Sequence, residues 1–352
     1  MQRMLCFDDV LIVPQYSEIE SRAQVDLSVY DPEDHSKRYS LAPGLRGLTC
    51  PIVGAPMDTV VGAEAARVLD TNGGFSVLHR YTSPNDQCTE LYKVSLYDED
   101  ETSNVACAVG TTGDYMSRAS DLYVCGCRAF CIDVAHGHHV NVRRAVSALR
   151  DRYGDSVHIM AGNVATLEAF NDLADWGCDS IRVGVGGGSV CTTRIQTGHG
   201  VPTFQSVLDC SKSDRRALII ADGGIRNSGD AVKALAAGAD LLMLGSVLAG
   251  HDESPGDTVV NKAGRYKAFR GMASRSAQED WFGHVGGVEG VSTMIKCKGP
   301  LQTTLDSFLA GMRSGLSYSG ADKIYKLRAA AKFVTVTSNA VSENRPHVFS
   351  QI

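Results

Sequence analysis

The 352-residue sequence predicts a (β/α)8 barrel. Short apolar runs recur eight times, and each is followed by a break rich in Gly, Asp, Ser or Thr and then by a segment with helical character. Continuous apolar runs are typical of parallel strands buried on both faces, and their alternation with helices implies crossover connections. No Gly-x-Gly-x-x-Gly opens a first strand–helix unit, which disfavours the dinucleotide-binding fold. Because single α/β barrels reach about 250 residues or more, residues 1–352 are expected to form a single barrel domain.

The polar breaks between strand and helix are the chemically informative part of the pattern. In a barrel of this kind the loops that follow the strands form the catalytic face, and the polar breaks all fall there. The intervening helices carry little chemistry, so the pattern indicates an enzyme. The expected strands, in chain order, occupy residues 50–55, 74–78, 105–109, 128–134, 157–160, 180–185, 217–221 and 240–244.

The sixth run ends in a glycine-rich loop that contains a cysteine. Gly186, Gly187 and Gly188 allow the main chain to approach a ligand closely. Cys191 follows, with two threonines and then Arg194 behind it. A thiol is a good nucleophile once ionised, and the nearby cation would favour the ionised form. On local features alone, a glycine-rich turn that happens to hold one of eleven cysteines explains the loop equally well.

The last two units carry breaks that suit a phosphate group. Asp222, Gly223 and Gly224 follow the seventh run, ahead of a helix whose expected cap is Ser228. A Gly-Ser pair at 245–246 follows the eighth run. Glycines and helix N-termini expose backbone N–H groups, and barrels often hold phosphate at this place. The alternative for Asp222 is a cap of its own turn.

From residue 251 to residue 300 the repeat is interrupted, and this segment is expected to be an active-site lid or flap. Met272 and Glu289 lie within it. Taken singly, these two side chains have plainer interpretations as core packing and as a solvated carboxylate. A helical pattern resumes at about Leu301, and residues 335–352 are expected to form a C-terminal tail.

Composition and charge exclude several functional classes. The net charge of −6 argues against nucleic-acid binding, which needs a basic face. No apolar run reaches membrane-spanning length. The eleven cysteines are scattered and no signal-peptide pattern precedes them, so reduced thiols in a cytoplasmic protein are expected. Cys125 and Cys127 are too closely spaced for the usual zinc pair.

Assembled in order, these motifs resemble the IMP dehydrogenase/GMP reductase family over nearly the whole chain. The resemblance implies the (β/α)8 barrel, a homotetramer and the roles described below. The motifs occupy residues 7–11 (Phe-Asp-Asp-Val-Leu), 56–59 (Pro-Met-Asp-Thr), 133–137 (Asp-Val-Ala-His-Gly), 161–164 (Ala-Gly-Asn-Val), 186–194 (ending Cys-Thr-Thr-Arg), 222–225 (Asp-Gly-Gly-Ile), 270–272 (Arg-Gly-Met) and 289–290 (Glu-Gly).

The resemblance implies covalent catalysis on a purine nucleoside monophosphate. Cys191 matches the nucleophile that attacks C2 of the purine and forms a thioimidate. Thr193 matches the threonine beside it, and Glu289 matches the carboxylate that contacts the base and assists proton transfer. The positions that match substrate contacts are Ser189, Asp222, Gly223, Gly224, Gly245, Ser246, Gly271, Met272, Ala273 and Gly290.

The resemblance also implies a nicotinamide cofactor and a potassium ion. NADPH is the expected cofactor, with Arg22 and Arg80 able to pair with its 2′-phosphate, although NAD is not excluded. His136, His138 and His139 follow the cofactor-binding aspartate, so we expect them to line the cofactor side rather than bind a metal. The cofactor positions are Ser21, Arg22, Arg80, Asp133, Val134, Ala135, Val185 and Gly186. The K⁺ positions are Gly186, Gly188, Cys191 and Arg194.

Two features favour a GMP reductase, which converts GMP to IMP and ammonia with NADPH. IMP dehydrogenases usually carry a CBS module after the second barrel unit, and residues 81–107 are too few to hold one. They also carry an Arg-Tyr pair that activates the hydrolytic water. No such pair lies between Gly271 and Glu289.

Other features favour a CBS-less IMP dehydrogenase that oxidises IMP to XMP with NAD. Residues 8–17 and 343–347 look more like the dehydrogenase, and Phe269 stands where a tyrosine often contacts phosphate. Gly287 and Val288 replace a tyrosine and an arginine that GMP reductases usually carry.

In a dehydrogenase of this kind, some other residue, such as Arg275 or His284, would have to act as the base. A third interpretation is a catalytically silent barrel that binds purine nucleotide.

Overall fold

The computed structural model describes residues 3–30, 47–95, 104–337 and 339–344. Its strands are β1 (Val10–Ile12), β2 (Ile52–Gly54), β3 (Phe75–Leu78), β4 (Val105–Val109), β5 (Ala129–Asp133), β6 (His158–Val164), β7 (Ser180–Val183), β8 (Leu218–Asp222), β9 (Leu241–Leu244), β10 (Val259–Asn261), β11 (Gly264–Arg270), β12 (Ser292–Lys296) and β13 (Phe333–Thr335). Its helices are α1 (Ala63–Thr71), α2 (Pro84–Ser95), α3 (Tyr115–Val124), α4 (Val140–Tyr153), α5 (Leu167–Asp175), α6 (Thr193–Thr197), α7 (Thr203–Cys210), α8 (Ser228–Ala236), α9 (Arg275–Phe282), α10 (Leu301–Tyr318), α11 (Ile324–Ala330) and α12 (Ala340–Glu343).

Strands β2 to β9 form a closed parallel barrel, which confirms the predicted (β/α)8 fold. Each strand pairs with its neighbours in sequence, and β9 closes onto β2, so that Val53 lies beside both Phe75 and Met243. After β9 the helical ring is completed by α10, which packs against α8 and α1. The expected return of helical structure at Leu301 is therefore confirmed.

The barrel strands are apolar on both faces because each face meets a separate core. Val53, Phe75, Met160, Ile220 and Met243 belong to the cluster inside the barrel. The alternate residues pack against the surrounding helices in a second, larger cluster. Fully burying one such large side chain contributes roughly 1.5–3 kcal/mol, and this double burial explains why the strands are continuous apolar runs in the sequence.

The fifth strand runs further than the sequence predicted. The expected run ends at residue 160, whereas β6 continues to Val164 through residues assigned to a loop motif. Gly162 makes this extension possible, because a Cβ there would lie 2.5 Å from Cβ of Arg182 on the neighbouring strand. The pairing with β7 shifts register between Gly162 and Val164. The side chain of Asn163 therefore extends from the end of a barrel strand.

The segment 251–300 contains regular structure that the sequence did not predict. Strands β10, β11 and β12 form an antiparallel sheet, and α9 lies between β11 and β12. Helix α8 begins at Ser228, but its cap is Asn227, whose side chain accepts a hydrogen bond from the Asp230 N–H at 2.9 Å. Strand β13, which ends at the first residue of the expected tail, pairs with β1, and residues 338 and 345–352 of the tail lie outside the described residues.

Candidate active site

The loop between β7 and α6 carries the predicted nucleophile. Gly184 has φ +146°, and a Cβ there would lie 2.0 Å from the carbonyl oxygen of Asp222, so only glycine fits. Further along the loop, the N–H of Cys191 donates to the carbonyl of Gly188 at 3.1 Å. The Cys191 side chain is half-buried at the end of this turn.

Cys191, Thr193 and Glu289 form a hydrogen-bonded chain. The thiol of Cys191 donates to Oγ1 of Thr193 at 3.2 Å. The hydroxyl of Thr193 in turn donates to Oε2 of Glu289 at 2.7 Å. A nucleophile within reach of a proton acceptor that is itself held by a third group is the arrangement that nucleophilic catalysis requires.

The lid segment, residues 251–300, supplies Glu289 through backbone pairing with the cysteine loop. Gly290 forms isolated β-bridges with both Cys191 and Ser274. The N–H of Thr192 donates to the Glu289 carbonyl at 2.8 Å, and the N–H of Glu289 donates to the Ala273 carbonyl at 3.1 Å. These main-chain bonds fix the carboxylate although it lies almost a hundred positions from the thiol in sequence.

A cavity of about 260 Å³ opens beside this chain at the carboxyl ends of the barrel strands. It brings together most of the positions predicted for catalysis, substrate, cofactor and K⁺. The predicted residues that line it are Arg80, Asp133, Val134, Ala135, Val185, Gly186, Gly188, Cys191, Thr193, Asp222, Gly223, Gly271, Met272, Ala273 and Glu289.

Five of the predicted substrate positions do not line the cavity. A Cβ on Gly245 would lie 3.3 Å from Sδ of Met57, which is part of the lining. A Cβ on Gly224 would lie 3.5 Å from the ring of Phe7. Ser246 offers its carbonyl to Nζ of Lys298 at 2.7 Å. The remaining predicted residues adjoining the lining are Ser189, which lies between two residues of the lining, and Gly290.

Three predicted residues point elsewhere. Ser21 caps a short 3₁₀ turn that includes Arg22 and packs against α10, so neither lines the cavity. The guanidinium of Arg194 is exposed and donates to the carbonyls of Val185 at 3.3 Å and Val201 at 2.9 Å. Its contacts are thus with the main chain of the loop.

A buried arginine that the sequence analysis did not single out links two predicted carboxylates. Arg182 on β7 pairs with Asp133 at 2.5 Å and with Asp222 at 3.1 Å. Asn163 also donates to Asp222, at 2.8 Å. The sequence signal for this arginine was that it is the single cation in the β-branched run 180–185. A charged side chain on a buried strand is expected to be paired, because burying an unpaired charge is costly.

Helix α9 is anchored to the barrel through the buried carboxylate of Asp58. Arg270 pairs with Asp58 at 2.6 Å, and the indole N–H of Trp281 donates to the same carboxylate at 2.8 Å. The Trp281 ring also lies 5.8 Å from the ring of His79. Burial lowers the pKa of His79, which keeps this imidazole neutral beneath the helix.

The three clustered histidines do not line the cavity. His138 contacts Asp172 at 2.8 Å, and His139 caps α4 by accepting from the Asn141 N–H at 3.1 Å. Burial, followed by the neighbouring imidazoles, lowers the pKa of His136. Of this motif, residues 133–135 line the cavity and the histidines that follow them do not.

Two further observations describe the chain as a whole. All eleven cysteines are free thiols. Among the described residues, none of the helices combines the length and apolar character needed to cross a bilayer.

The chain is similar to known proteins over nearly its whole length. The sequence model of the IMP dehydrogenase / GMP reductase domain matches residues 4–347. An inosine-5′-monophosphate dehydrogenase from Nitrosopumilus maritimus is 30% identical over 479 residues, covering 97% of this chain and 98% of that protein. Because this alignment is longer than the 352-residue chain, part of that relative has no counterpart here.

Two more comparisons bear on the activity. The Bacillus subtilis inosine-5′-monophosphate dehydrogenase is 42% identical over 253 residues, and the match spans 69% of this chain but only 52% of that protein. A solved structure of a cysteine-to-alanine variant of GMP reductase from Trypanosoma brucei, in complex with guanosine 5′-monophosphate, superposes with a TM-score of 0.89. It is 28% identical and covers 99% of both chains. On fold and sequence together, the chain belongs to the IMP dehydrogenase/GMP reductase family of oxidoreductases.

Proposed function

We propose that this protein is a GMP reductase that converts GMP to IMP and ammonia with NADPH. The proposal rests on one observation about the cavity that the Cys191–Thr193–Glu289 chain faces. Neither Arg275 nor His284, the candidate bases for a hydrolytic water, lines this cavity. Arg275 is exposed and pairs with Glu279 at 3.8 Å. His284 is likewise exposed to solvent, and an exposed position is unsuitable for activating a water at C2 of the purine.

The hydrogen-bonded chain can serve both halves of a reductive deamination. As sulfur bonds to C2 of GMP, the thiol proton passes through Thr193 to Glu289. The same chain returns a proton to the 2-amino group. The C2–N bond then breaks, ammonia departs, and the purine remains attached to Cys191 as a thioimidate. NADPH, when bound, supplies the hydride that C2 accepts. The S–C2 bond then breaks with its electron pair returning to sulfur, which releases IMP.

The cavity has residues suited to a nicotinamide dinucleotide beside the substrate. Arg80 donates to the carbonyl of Asp133 at 3.2 Å, and its guanidinium lies 4.8 Å from the ring of Tyr81. A guanidinium here suits a 2′-phosphate. The carboxylate of Asp133 lines the same cavity and can accept a ribose hydroxyl.

The glycine-rich loop also fits a potassium ion. Gly186, Gly188 and Cys191 can offer backbone carbonyl oxygens, which are the ligands that K⁺ takes in proteins. The carbonyls of Gly188 and Arg194 each accept one N–H, from Cys191 and Gly198, and a carbonyl has a second lone pair. These four residues would hold the ion and so rigidify the loop around the nucleophile.

The alternative function is that of an IMP dehydrogenase lacking the CBS module. It is favoured by the relatives at 30% and 42% identity, which carry that name. Both reactions pass through a covalent adduct at Cys191, so the residues already described serve either one.

The deciding experiment compares the two reactions in one purified preparation. With GMP and NADPH, we expect nicotinamide absorbance to fall and ammonia to appear. NADH formation from IMP and NAD, without turnover of GMP, would overturn the proposal in favour of the dehydrogenase. Binding of nucleotide without either turnover would indicate a silent barrel. The Cys191→Ala variant should lose all activity, whereas Cys125→Ala, which changes an exposed thiol outside the cavity, should keep it. A mass measurement on the same sample tests the expected homotetramer.

A further inference from the structure

Arg182 occupies a position between the two halves of the cavity. It lies on β7, and its side chain is only 9% exposed. Its Nη1 donates to Oδ1 of Asp133, at the end of β5, at 2.5 Å. Its Nε donates to Oδ2 of Asp222, at the end of β8, at 3.1 Å. One planar guanidinium therefore connects the carboxylate predicted for the cofactor with the carboxylate predicted for the substrate.

Each carboxylate has one oxygen that takes no part in the contacts with Arg182 and Asn163. Oδ2 of Asp222 accepts from both Arg182 and Asn163. Within the described part of the chain, no hydrogen bond reaches Oδ1 of Asp222 or Oδ2 of Asp133. Both side chains line the cavity and are 15–16% exposed. A partly buried carboxylate with a free oxygen is a strong acceptor for a sugar hydroxyl.

The surroundings of Arg182 leave room for its side chain and keep it charged. Gly162 on β6 leaves the space that Arg182 needs, because any Cβ there would lie 2.5 Å from Cβ of the arginine. Burial lowers the pKa of Arg182, but Asp133 and Asp222 outweigh that effect, and the pKa lies well above its ordinary value. The guanidinium is thus permanently charged, and it offsets the repulsion between two carboxylates that share one cavity.

We propose that Arg182 is a positioning residue that holds Asp133 and Asp222 so that each presents its free oxygen to a ribose of one of two nucleotides. The inference rests on the proposed function only in requiring a purine nucleoside monophosphate and a nicotinamide dinucleotide in the same cavity. It applies equally to the reductase and to the dehydrogenase. Arg182 acts through the two carboxylates.

The test measures ligand binding rather than turnover. In Arg182→Lys the charge remains, but an ammonium lacks the planar fork that donates in two directions. We expect titration calorimetry to show GMP and NADPH each bound about tenfold more weakly or worse, the loss typical of one charged hydrogen bond. The matched control is Arg150→Lys, because Arg150 pairs with Asp179 at the opposite end of the strands, away from the cavity. Both variants are checked for folding by circular dichroism and thermal unfolding.

A double-mutant cycle separates positioning from direct contact. If Arg182 acts through Asp222, adding Arg182→Lys to Asp222→Asn should cost no further GMP affinity. The same should hold for NADPH when Arg182→Lys is added to Asp133→Asn. Additive losses would mean that Arg182 touches the nucleotides itself and would overturn the positioning role.

The binding experiments also distinguish the two proposals. Unchanged binding of both ligands by Arg182→Lys would overturn the inference alone. A wild-type protein that binds neither GMP nor IMP would overturn the proposed function and, with it, this inference.

Discussion

At the scale of single residues, two adjacent threonines have opposite surroundings. The hydroxyl of Thr193 accepts a hydrogen bond from the Cys191 thiol and donates one to Glu289. The hydroxyl of Thr192 is buried and has no hydrogen-bond partner among the described residues. The two residues are chemically identical, and only their different orientations at the start of α6 give one of them hydrogen bonds to Cys191 and Glu289.

Replacing Thr193 by valine should impair catalysis while preserving shape. The hydrogen-bonded path from Cys191 to Glu289 would be broken, and we expect kcat to fall about 100-fold or more, as for loss of a general acid–base group. Steady-state kinetics on purified enzyme provide the measurement. Thr192→Val is the matched control, because it removes a hydroxyl without a partner. Equal losses in both variants would contradict the proton path.

At the scale of elements, the end of the barrel opposite the cavity contains a buried histidine. His158 begins β6 and contacts Oγ of Ser180, at the start of β7, at 2.8 Å. Burial lowers the pKa of His158 from 6.5 to about 4, because the charged imidazole would lose its hydration there, and the attraction of Asp179 compensates only in part. The imidazole is therefore neutral in the folded protein at pH 7.

Stability should consequently fall as the pH is lowered through the titration of His158. The unfolded chain binds this proton near pH 6.5 and the folded chain only near pH 4. The free energy of unfolding therefore has its full value above pH 6.5 and decreases as the pH falls from 6.5 toward 4. Between pH 7 and pH 5 the residue should cost about 2 kcal/mol of unfolding free energy. Urea unfolding of wild type and His158→Gln at both pH values tests this expectation. A variant as sensitive to pH as the wild type would refute it.

At the scale of the whole molecule, the two ends of the described chain meet beside the active site. Strand β1 pairs with β13, and the ring of Phe204 on α7 lies 5.9 Å from Phe7 and 5.1 Å from Phe333. Phe7 also adjoins Gly224 in the turn after β8, and Nζ of Lys233 donates to its carbonyl at 2.9 Å. The terminal segments thus support the predicted phosphate turn from outside the barrel.

Loss of the central ring should weaken this junction. Phe204 is 1% exposed, and Phe204→Ala should lower the free energy of unfolding by about 3–5 kcal/mol through lost burial and the cavity left behind. Val334→Ala changes a 45% exposed side chain on β13 and should stay within about 0.5 kcal/mol of wild type. Denaturant unfolding compares the two. A Phe204→Ala variant as stable as Val334→Ala would show that the aromatic junction does not support the fold.

The fold could be predicted because strands that are buried on both faces have a recognisable apolar pattern in the sequence. Each barrel strand is covered on both faces and so appears as a continuous apolar run, and each of the eight predicted runs overlaps one barrel strand. The exceptions have local causes. Strand β6 continues through Gly162 because the missing side chain admits Arg182. In the sheet of segment 251–300, β10 and β12 are largely exposed and β11 is fully buried only at Lys267 and Phe269, so none of the three is a continuous buried apolar run.

The sequence by itself determined the barrel and the order of its loops, and its resemblance to a known family singled out Cys191, Thr193 and Glu289 together. Only the tertiary structure decided that Arg182 joins Asp133 to Asp222, that Trp281 anchors α9 on Asp58, and that Ser21 and Arg22 lie away from the cavity. The physical reason is the range of the interactions. A strand's burial depends on its own residues, whereas an ion pair across 49 positions depends on how the barrel closes and in which register.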